Sequence, residues 1–161
     1  MHIKMTTHRI FGVLVLLASL ALPVVTQAAI CTVTANEAAF GAYDPFAAQS
    51  RDSSTTVEIS CSGSNGESVS FDILASTGLG TFTDRLAANG HSNLHYNLFL
   101  DISRTQVWGD GSNGTVTLHD SLTIADRPVT RTYTIYGRIT SAQRYITAGT
   151  YSDQVTVTMR Y

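Results

Sequence analysis

The sequence predicts an all-β protein, an antiparallel β-sandwich of about six to eight short strands. Several segments place an apolar residue at every second position, and turns rich in Gly, Asn and Ser separate them. The segments are also rich in Val, Thr and Tyr, which favour strands. Beyond the N-terminal region, no apolar pattern of helical period extends over more than about two turns.

The last segment, residues 155–161, alternates most strictly. Its apolar face carries Val155, Val157, Met159 and Tyr161. Since the predicted strand ends on the last residue, we expect it to lie at or near an open sheet edge. An open edge can pair with a strand from another chain, so these four residues are predicted to line an apolar groove that receives one.

The other predicted strands follow the same reasoning. Alternation and β-branched content predict strands over residues 55–61, 69–73, 94–100, 115–118 and 130–139, with a shorter one around Cys31. Turn signals lie between them, the strongest being the glycine-rich residues 109–114. This regular spacing favours a sandwich or barrel.

The N-terminal region predicts export. Lys4, His8 and Arg9 precede an apolar run over residues 10–25, and small residues follow it. We therefore expect a cleaved signal peptide over residues 1–28 and one domain over residues 29–161. A membrane anchor is the alternative, but an apolar run of about 16 residues is shorter than the ~20 that span a bilayer.

Both cysteines, Cys31 and Cys61, lie in the predicted mature domain. In an exported protein a cysteine pair is expected to form a disulfide, and each residue lies on the apolar face of an alternating segment. A catalytic or metal-binding thiol pair is disfavoured because the C-x-x-C spacing is absent.

Composition excludes several function classes. The formal net charge is −2 and no basic patch stands out, so nucleic-acid binding is not expected. No nucleophile-elbow or phosphate-loop motif occurs, and we predict no enzyme activity, no cofactor and no small-molecule substrate.

Four weaker patterns have structural explanations. His91 and His95 lack a nearby third zinc ligand, so we interpret them as solvent-facing. The stretch from Asp110 to Gly114 faintly resembles a calcium loop, but it lacks the distal Glu and favours a turn. Asp84-Arg85 is interpreted as a surface or loop ion pair.

The aromatic residues could form a carbohydrate platform, but packing in the core and between strands is the preferred interpretation. They are Trp108, Tyr133, Tyr136, Tyr145 and Tyr151.

An ordered set of motifs covers essentially the whole mature chain. It comprises Cys31, Phe40-Gly41-x-Tyr43-Asp44, Cys61, Leu94-x-Tyr96-Asn97-Leu98-Phe99, Trp108-Gly109-Asp110-Gly111, Tyr133-x-x-Tyr136-Gly137-Arg138-Ile139 and Ala148-Gly149-x-Tyr151-x-Asp153-x-Val155-x-Val157. In this order the motifs resemble the spore coat protein U domain family, the pilin domain of archaic chaperone–usher pili.

The resemblance implies an immunoglobulin-like sandwich that lacks its final strand. A periplasmic chaperone, and later a neighbouring pilin subunit, supplies that strand in the family. An outer-membrane usher would be a further partner, and the chain would pass through the periplasm to the cell surface.

One departure from the family concerns the N-terminus. Subunits that polymerise carry a donor extension before the first cysteine, whereas here only Ala29 and Ile30 would precede Cys31. We therefore expect a subunit that accepts a strand but donates none, as a terminal subunit would. The alternative is a secreted spore-coat or matrix protein that completes its own fold.

Overall fold

The structure, a computed structural model, describes residues 28–161. The signal peptide predicted over residues 1–28 therefore lies outside the described residues except for Ala28. Over this described range the chain forms nine strands and no helix, and hence none that could span a bilayer. The strands are β1 (Ile30–Ala35), β2 (Arg51–Ser62), β3 (Ser68–Ala75), β4 (Leu79–Gly80), β5 (Arg85–Ala88), β6 (Asn93–Phe99), β7 (Leu118–Thr123), β8 (Val129–Ile139) and β9 (Val157–Arg160).

The strands form two sheets. A six-stranded sheet has the order β1-β2-β8-β6-β5-β4, and a three-stranded sheet has the order β7-β3-β9. Every pairing between these strands is antiparallel. Alternate side chains of both sheets form one buried core, with Ile59 and Ile135 from the larger sheet and Phe71 and Ile73 from the smaller. The predicted all-β antiparallel sandwich is confirmed.

The last strand is shorter than the predicted 155–161, spanning Val157–Arg160, and two other strands depart from their predicted bounds by more than two residues. β2 begins at Arg51 rather than at Thr55, because the polar residues 51–54 pair with the end of β8. The strand predicted over residues 115–118 instead spans Leu118–Thr123. Its inward-facing Asp120 interrupts the apolar alternation between the buried Leu118 and Leu122, which hides the strand in the sequence.

Asp120 is accommodated because Tyr133 reaches it from the opposite sheet. The Tyr133 hydroxyl donates to Asp120 Oδ2 at 2.6 Å, and its ring makes an edge contact with Phe71. The hydrogen bond from Tyr133 lowers the pKa of Asp120. Burial first, and Asp120 second, raise the pKa of Tyr133 to about 12. This pair joins the two sheets at their β7 side.

A disulfide joins the first two strands. Cys31 and Cys61 are direct cross-strand partners, with Cα atoms 4.1 Å apart and sulfurs 2.01 Å apart. Cys61 is fully buried, so the bond ties the edge strand β1 to the core.

Removing the disulfide should destabilise the domain. A bond across a separation of 30 residues contributes about 3.5–4 kcal/mol in the chain-entropy model. We expect the double change Cys31→Ala and Cys61→Ala to lower the free energy of unfolding by about 2–5 kcal/mol in urea denaturation. An unchanged midpoint, or free thiols detected in denatured native protein, would contradict this expectation.

The Asp120–Tyr133 pair should make stability depend on pH at both extremes. Because the folded pKa of Asp120 is lowered, its contribution is present above the unfolded value of about 3.9 and is lost as the pH falls through the lower folded value. Because the folded pKa of Tyr133 is raised, its contribution is present below the unfolded value of about 10 and is lost as the pH rises through about 12.

Tyr133→Phe should therefore flatten the pH profile of the unfolding free energy in both windows. Tyr145→Phe, at a fully exposed position, is the matched control. Identical profiles for the Tyr133 variant and the parent protein would refute the coupling.

Candidate functional site

Strand β9 forms one edge of the three-stranded sheet. Within residues 28–161 its only strand partner is β3. The Ser76 amide donates to the Thr156 carbonyl at 2.9 Å, and the Thr156 amide donates to Ser76 Oγ at 2.9 Å. Since backbone groups alternate in direction along a strand, those of Val155, Val157 and Met159 face the open edge.

Strand β1 forms an edge of the other sheet with the same alternation. The Asn36 amide donates to Thr56 of β2 at 3.0 Å, so even-numbered residues point towards β2. The amides of Cys31, Val33 and Ala35 therefore point away from β2. The Cα separation of 4.1 Å between Cys31 and Cys61 agrees with this direction of the Cys31 amide, because cross-strand partners that share no hydrogen bonds lie about 4.5 Å apart.

A groove of about 1150 Å³ opens between these two edges. The segment after β1 forms one wall, and the segment that leads into β9 forms the other. Its floor consists of core side chains that are otherwise buried: Val57, Leu94, Tyr96, Leu98, Trp108, Ile135 and Ile139. The groove therefore reaches down to the core of the sandwich along one side.

The first wall is held by side chains of β2 and by one glycine of β8. Ser53 Oγ donates to the Ala39 carbonyl at 2.6 Å, and Arg51 Nε donates to the Phe40 carbonyl at 2.8 Å. The Phe40 ring lies over Gly137, where an added Cβ would come within 2.6 Å of it. Gly137 is required at this point because the aromatic wall packs directly onto the backbone of β8.

The second wall is anchored by Asp153. Its carboxylate accepts from the Tyr96 hydroxyl at 2.6 Å and from the Leu79 amide at 2.9 Å. Burial, and secondarily the bond to Asp153, raise the pKa of Tyr96 far above its usual range, so the hydroxyl stays protonated and donates. A Cβ at Gly78 would come within 2.1 Å of the Asp153 carboxylate, so the close approach requires glycine.

Arg85 lies beneath this second wall and is fully buried, which corrects the prediction of a surface or loop ion pair with Asp84. Its Nη2 donates to the carbonyls of Ser76 and Trp108 at 2.9 and 2.8 Å. Its Nη1 donates to Asn97 Oδ1 at 2.6 Å. Burial lowers the pKa of the guanidinium. Asp84 instead contacts His95, with 2.7 Å between Oδ1 and Nδ1.

The structure separates the four residues predicted to line the groove into two pairs. Val155 and Val157 lie on its wall. Met159 faces the core but lies outside the open cavity. Tyr161 also lies outside it, 60% exposed, and its hydroxyl accepts a hydrogen bond from the Cys31 amide at 3.3 Å. Sequence alternation identified the face of the strand but could not show where along it the two sheets converge.

The remaining sequence candidates hold structural positions. His91 and His95 are exposed, and the described residues contain no cluster of three or more potential metal-binding side chains. Asp110 accepts from the amide and hydroxyl of Ser112, which closes a turn. Trp108 is buried, whereas Tyr145 is fully exposed and does not pack as predicted.

A family model for the Spore Coat Protein U domain matches residues 16–158. The chain belongs to this family. The resemblance predicted from the ordered motifs is therefore confirmed. The motif residues Phe40, Tyr96 and Asp153 line the groove, and Gly137 packs behind the Phe40 ring. No curated protein matches the chain at a significant level.

The chain also resembles a solved structure in its fold. It is similar to a chain in the crystal structure of the CsuC-CsuE chaperone-tip adhesion subunit pre-assembly complex from archaic chaperone-usher Csu pili of Acinetobacter baumannii. The TM-score is 0.52 and the sequence identity 21%. The match covers 83% of this chain and 40% of the other, so the chain spans less than half the length of that structural neighbour.

Removing the buried guanidinium should destabilise the second wall. Arg85→Met removes a donor from the buried Trp108 carbonyl and from two part-buried oxygens, the Ser76 carbonyl and Asn97 Oδ1, and a buried acceptor left unpaired costs about 1–3 kcal/mol. We expect the free energy of unfolding to fall by at least about 3 kcal/mol in urea denaturation. The control is Arg144→Met, which removes an exposed arginine. Equal losses in the two variants would contradict the role assigned to Arg85.

Proposed function

We propose that this chain is an exported structural subunit of an archaic chaperone–usher pilus, without enzyme activity, that accepts a donor β-strand in its groove. One observation carries the proposal: two edge strands, one from each sheet, border a common groove. Within residues 28–161 neither strand pairs with another at that edge, and their inward side chains are apolar. Such an arrangement is suited to β-strand addition, in which main-chain bonds give affinity and alternate pockets give specificity.

The size of the groove favours a strand over a compact ligand. Its volume of about 1150 Å³ exceeds the ~300–1,000 Å³ of most small-molecule sites. Its open end is bordered by Ala35 of β1 and Val157 of β9, and the backbone edge of a strand recognises another strand by its regular amides. Because β1 and β9 run in opposite directions, an inserted strand would be parallel to one of them and antiparallel to the other.

The apolar walls of the groove provide a reason for a chaperone. An empty groove leaves the wall residues Val155 and Val157 partly exposed to water, and its edge amides accessible to unwanted partners. A periplasmic pilus chaperone that supplies a strand would cover them before an outer-membrane usher and a neighbouring pilin subunit take over. The structural neighbour is a chain in a pre-assembly complex of a chaperone with a tip adhesion subunit, which supports a chaperone as a partner.

We further propose that the chain accepts a strand but donates none. With cleavage after Ala28, only Ala29 and Ile30 precede the disulfide-bonded Cys31, so no alternating apolar segment is left to donate. A subunit of this kind would occupy the end of a fibre at the cell surface. Head-to-tail polymerisation of the mature chain through its own N-terminus would contradict this assignment.

Peptide binding tests the proposal. A labelled peptide of alternating valine and threonine, with a lysine at each end for solubility, should bind the mature domain and protect the amides of Val155 and Val157 from hydrogen exchange. Val157→Asp should weaken binding at least about tenfold, because it places an unpaired carboxylate on the apolar wall. Thr156→Ser, on the exposed face of the same segment, should have little effect.

The same pair of variants can be co-expressed with the cognate chaperone, and chaperone capture should fall only for Val157→Asp. A parent protein that is monomeric, resistant to protease and indifferent to every donor peptide would instead favour the secreted coat protein that completes its own fold.

A further inference from the structure

We propose that Tyr161 is a displaceable cap at one end of the groove, and that it determines how far a donor strand can pair along β1. The inference rests on the proposed function, because it concerns the register of the strand that the groove accepts. The Tyr161 hydroxyl would determine whether a donor strand pairs with a short or a long segment of β1.

The cap occupies an amide that an incoming strand would otherwise use. The Cys31 amide points away from β2, towards the open edge, and donates to the Tyr161 hydroxyl at 3.3 Å. It is the first of the three edge-facing amides of β1, before those of Val33 and Ala35. An inserted strand that paired along the whole edge would therefore have to displace Tyr161.

The sheets also converge at this end. Some Cα atoms of β1 and β9 lie within 8 Å of each other, whereas a strand placed between two others requires about 9–10 Å between them. The open cavity includes Ala35 and Val155 but not Cys31, Val33, Met159 or Tyr161. The groove is therefore open at the Ala35 end and closed at the Cys31 end.

The hydrogen bond between Tyr161 and Cys31 at the closed end is weak, which makes displacement of the Tyr161 side chain feasible. The Tyr161 side chain is 60% exposed, and its hydrogen bond to Cys31 is long. An exposed neutral bond of this kind contributes little to stability, because water replaces either partner readily. A donor strand that supplies a backbone carbonyl to Cys31 would replace the bond that the phenol makes.

Two donor probes separate the open and closed ends. Both are alternating valine–threonine peptides with terminal lysines; the short one, of about five residues, spans the open groove, and the long one, of about nine, reaches Cys31. Tyr161→Phe removes the capping hydroxyl and keeps the ring, while Tyr145→Phe removes a hydroxyl from a fully exposed ring. Affinities are measured by fluorescence polarisation, and exchange of the Cys31 amide by NMR.

We expect Tyr161→Phe to tighten binding of the long peptide by about 3–10-fold and to leave the short peptide unchanged. In the free protein the Cys31 amide should exchange faster in this variant, and the long peptide should restore its protection. Tyr145→Phe should change neither affinity nor exchange.

Three outcomes would overturn the inference. If both peptides bind and Tyr161→Phe raises the affinity of both equally, or of neither, Tyr161 has no role in the register of the donor strand, while the proposed function stands. If Cys31 exchange is the same in Tyr161→Phe and the parent protein, the cap does not form. If neither peptide binds any variant, the proposed function fails and the inference fails with it.

Discussion

The buried guanidinium of Arg85 is the interaction on which the geometry of the groove depends. The guanidinium lies where regular strand pairing ends, because β3 ends just before Ser76 and Trp108 lies between β6 and β7. Carbonyls at such points need donors from outside the ladder, because a buried unpaired carbonyl is costly. Arginine suits the position since its planar head carries five donors in a fixed fork. Burial removes water from the guanidinium and lowers its pKa, and the nearby Asp153 carboxylate opposes this shift.

Arg85 acts on the groove through Ser76. This residue accepts from Arg85 with its carbonyl and exchanges two hydrogen bonds with Thr156, just before β9. The second wall is therefore fixed to the six-stranded sheet even though β9 has no strand partner at the open edge within the described chain. Asp153 adds a second attachment through Tyr96. A pre-organised wall reduces the ordering cost of binding a strand, which is the main penalty in strand addition.

Sequence periodicity was sufficient for the fold class, most strands and the inward face of β9, because alternation follows directly from the pleat of a half-buried strand. Periodicity failed where a polar residue faces inward. Asp120 interrupts the apolar pattern of β7, and in the sequence Arg85 is interpreted as half of a surface ion pair. Each side chain has hydrogen-bond partners that are distant in the chain. Periodicity was also unable to place Met159 and Tyr161 outside the cavity, because the convergence of two sheets depends on their twist and not on local pattern.

The edge strands of the two sheets differ in how strongly they discourage pairing with an added strand. β4 is only two residues long, and very short edge strands discourage pairing. β7 carries an exposed histidine and an inward carboxylate held by Tyr133, which also disfavours an added strand. The facing edges of β1 and β9 are covered at one end by Tyr161 and by the convergence of the two sheets, whereas at the Ala35 end they are open and their inward residues are apolar. Blocking two edges and leaving two others open towards one groove would restrict the proposed strand addition to that groove. The same arrangement would limit aggregation through the remaining edges.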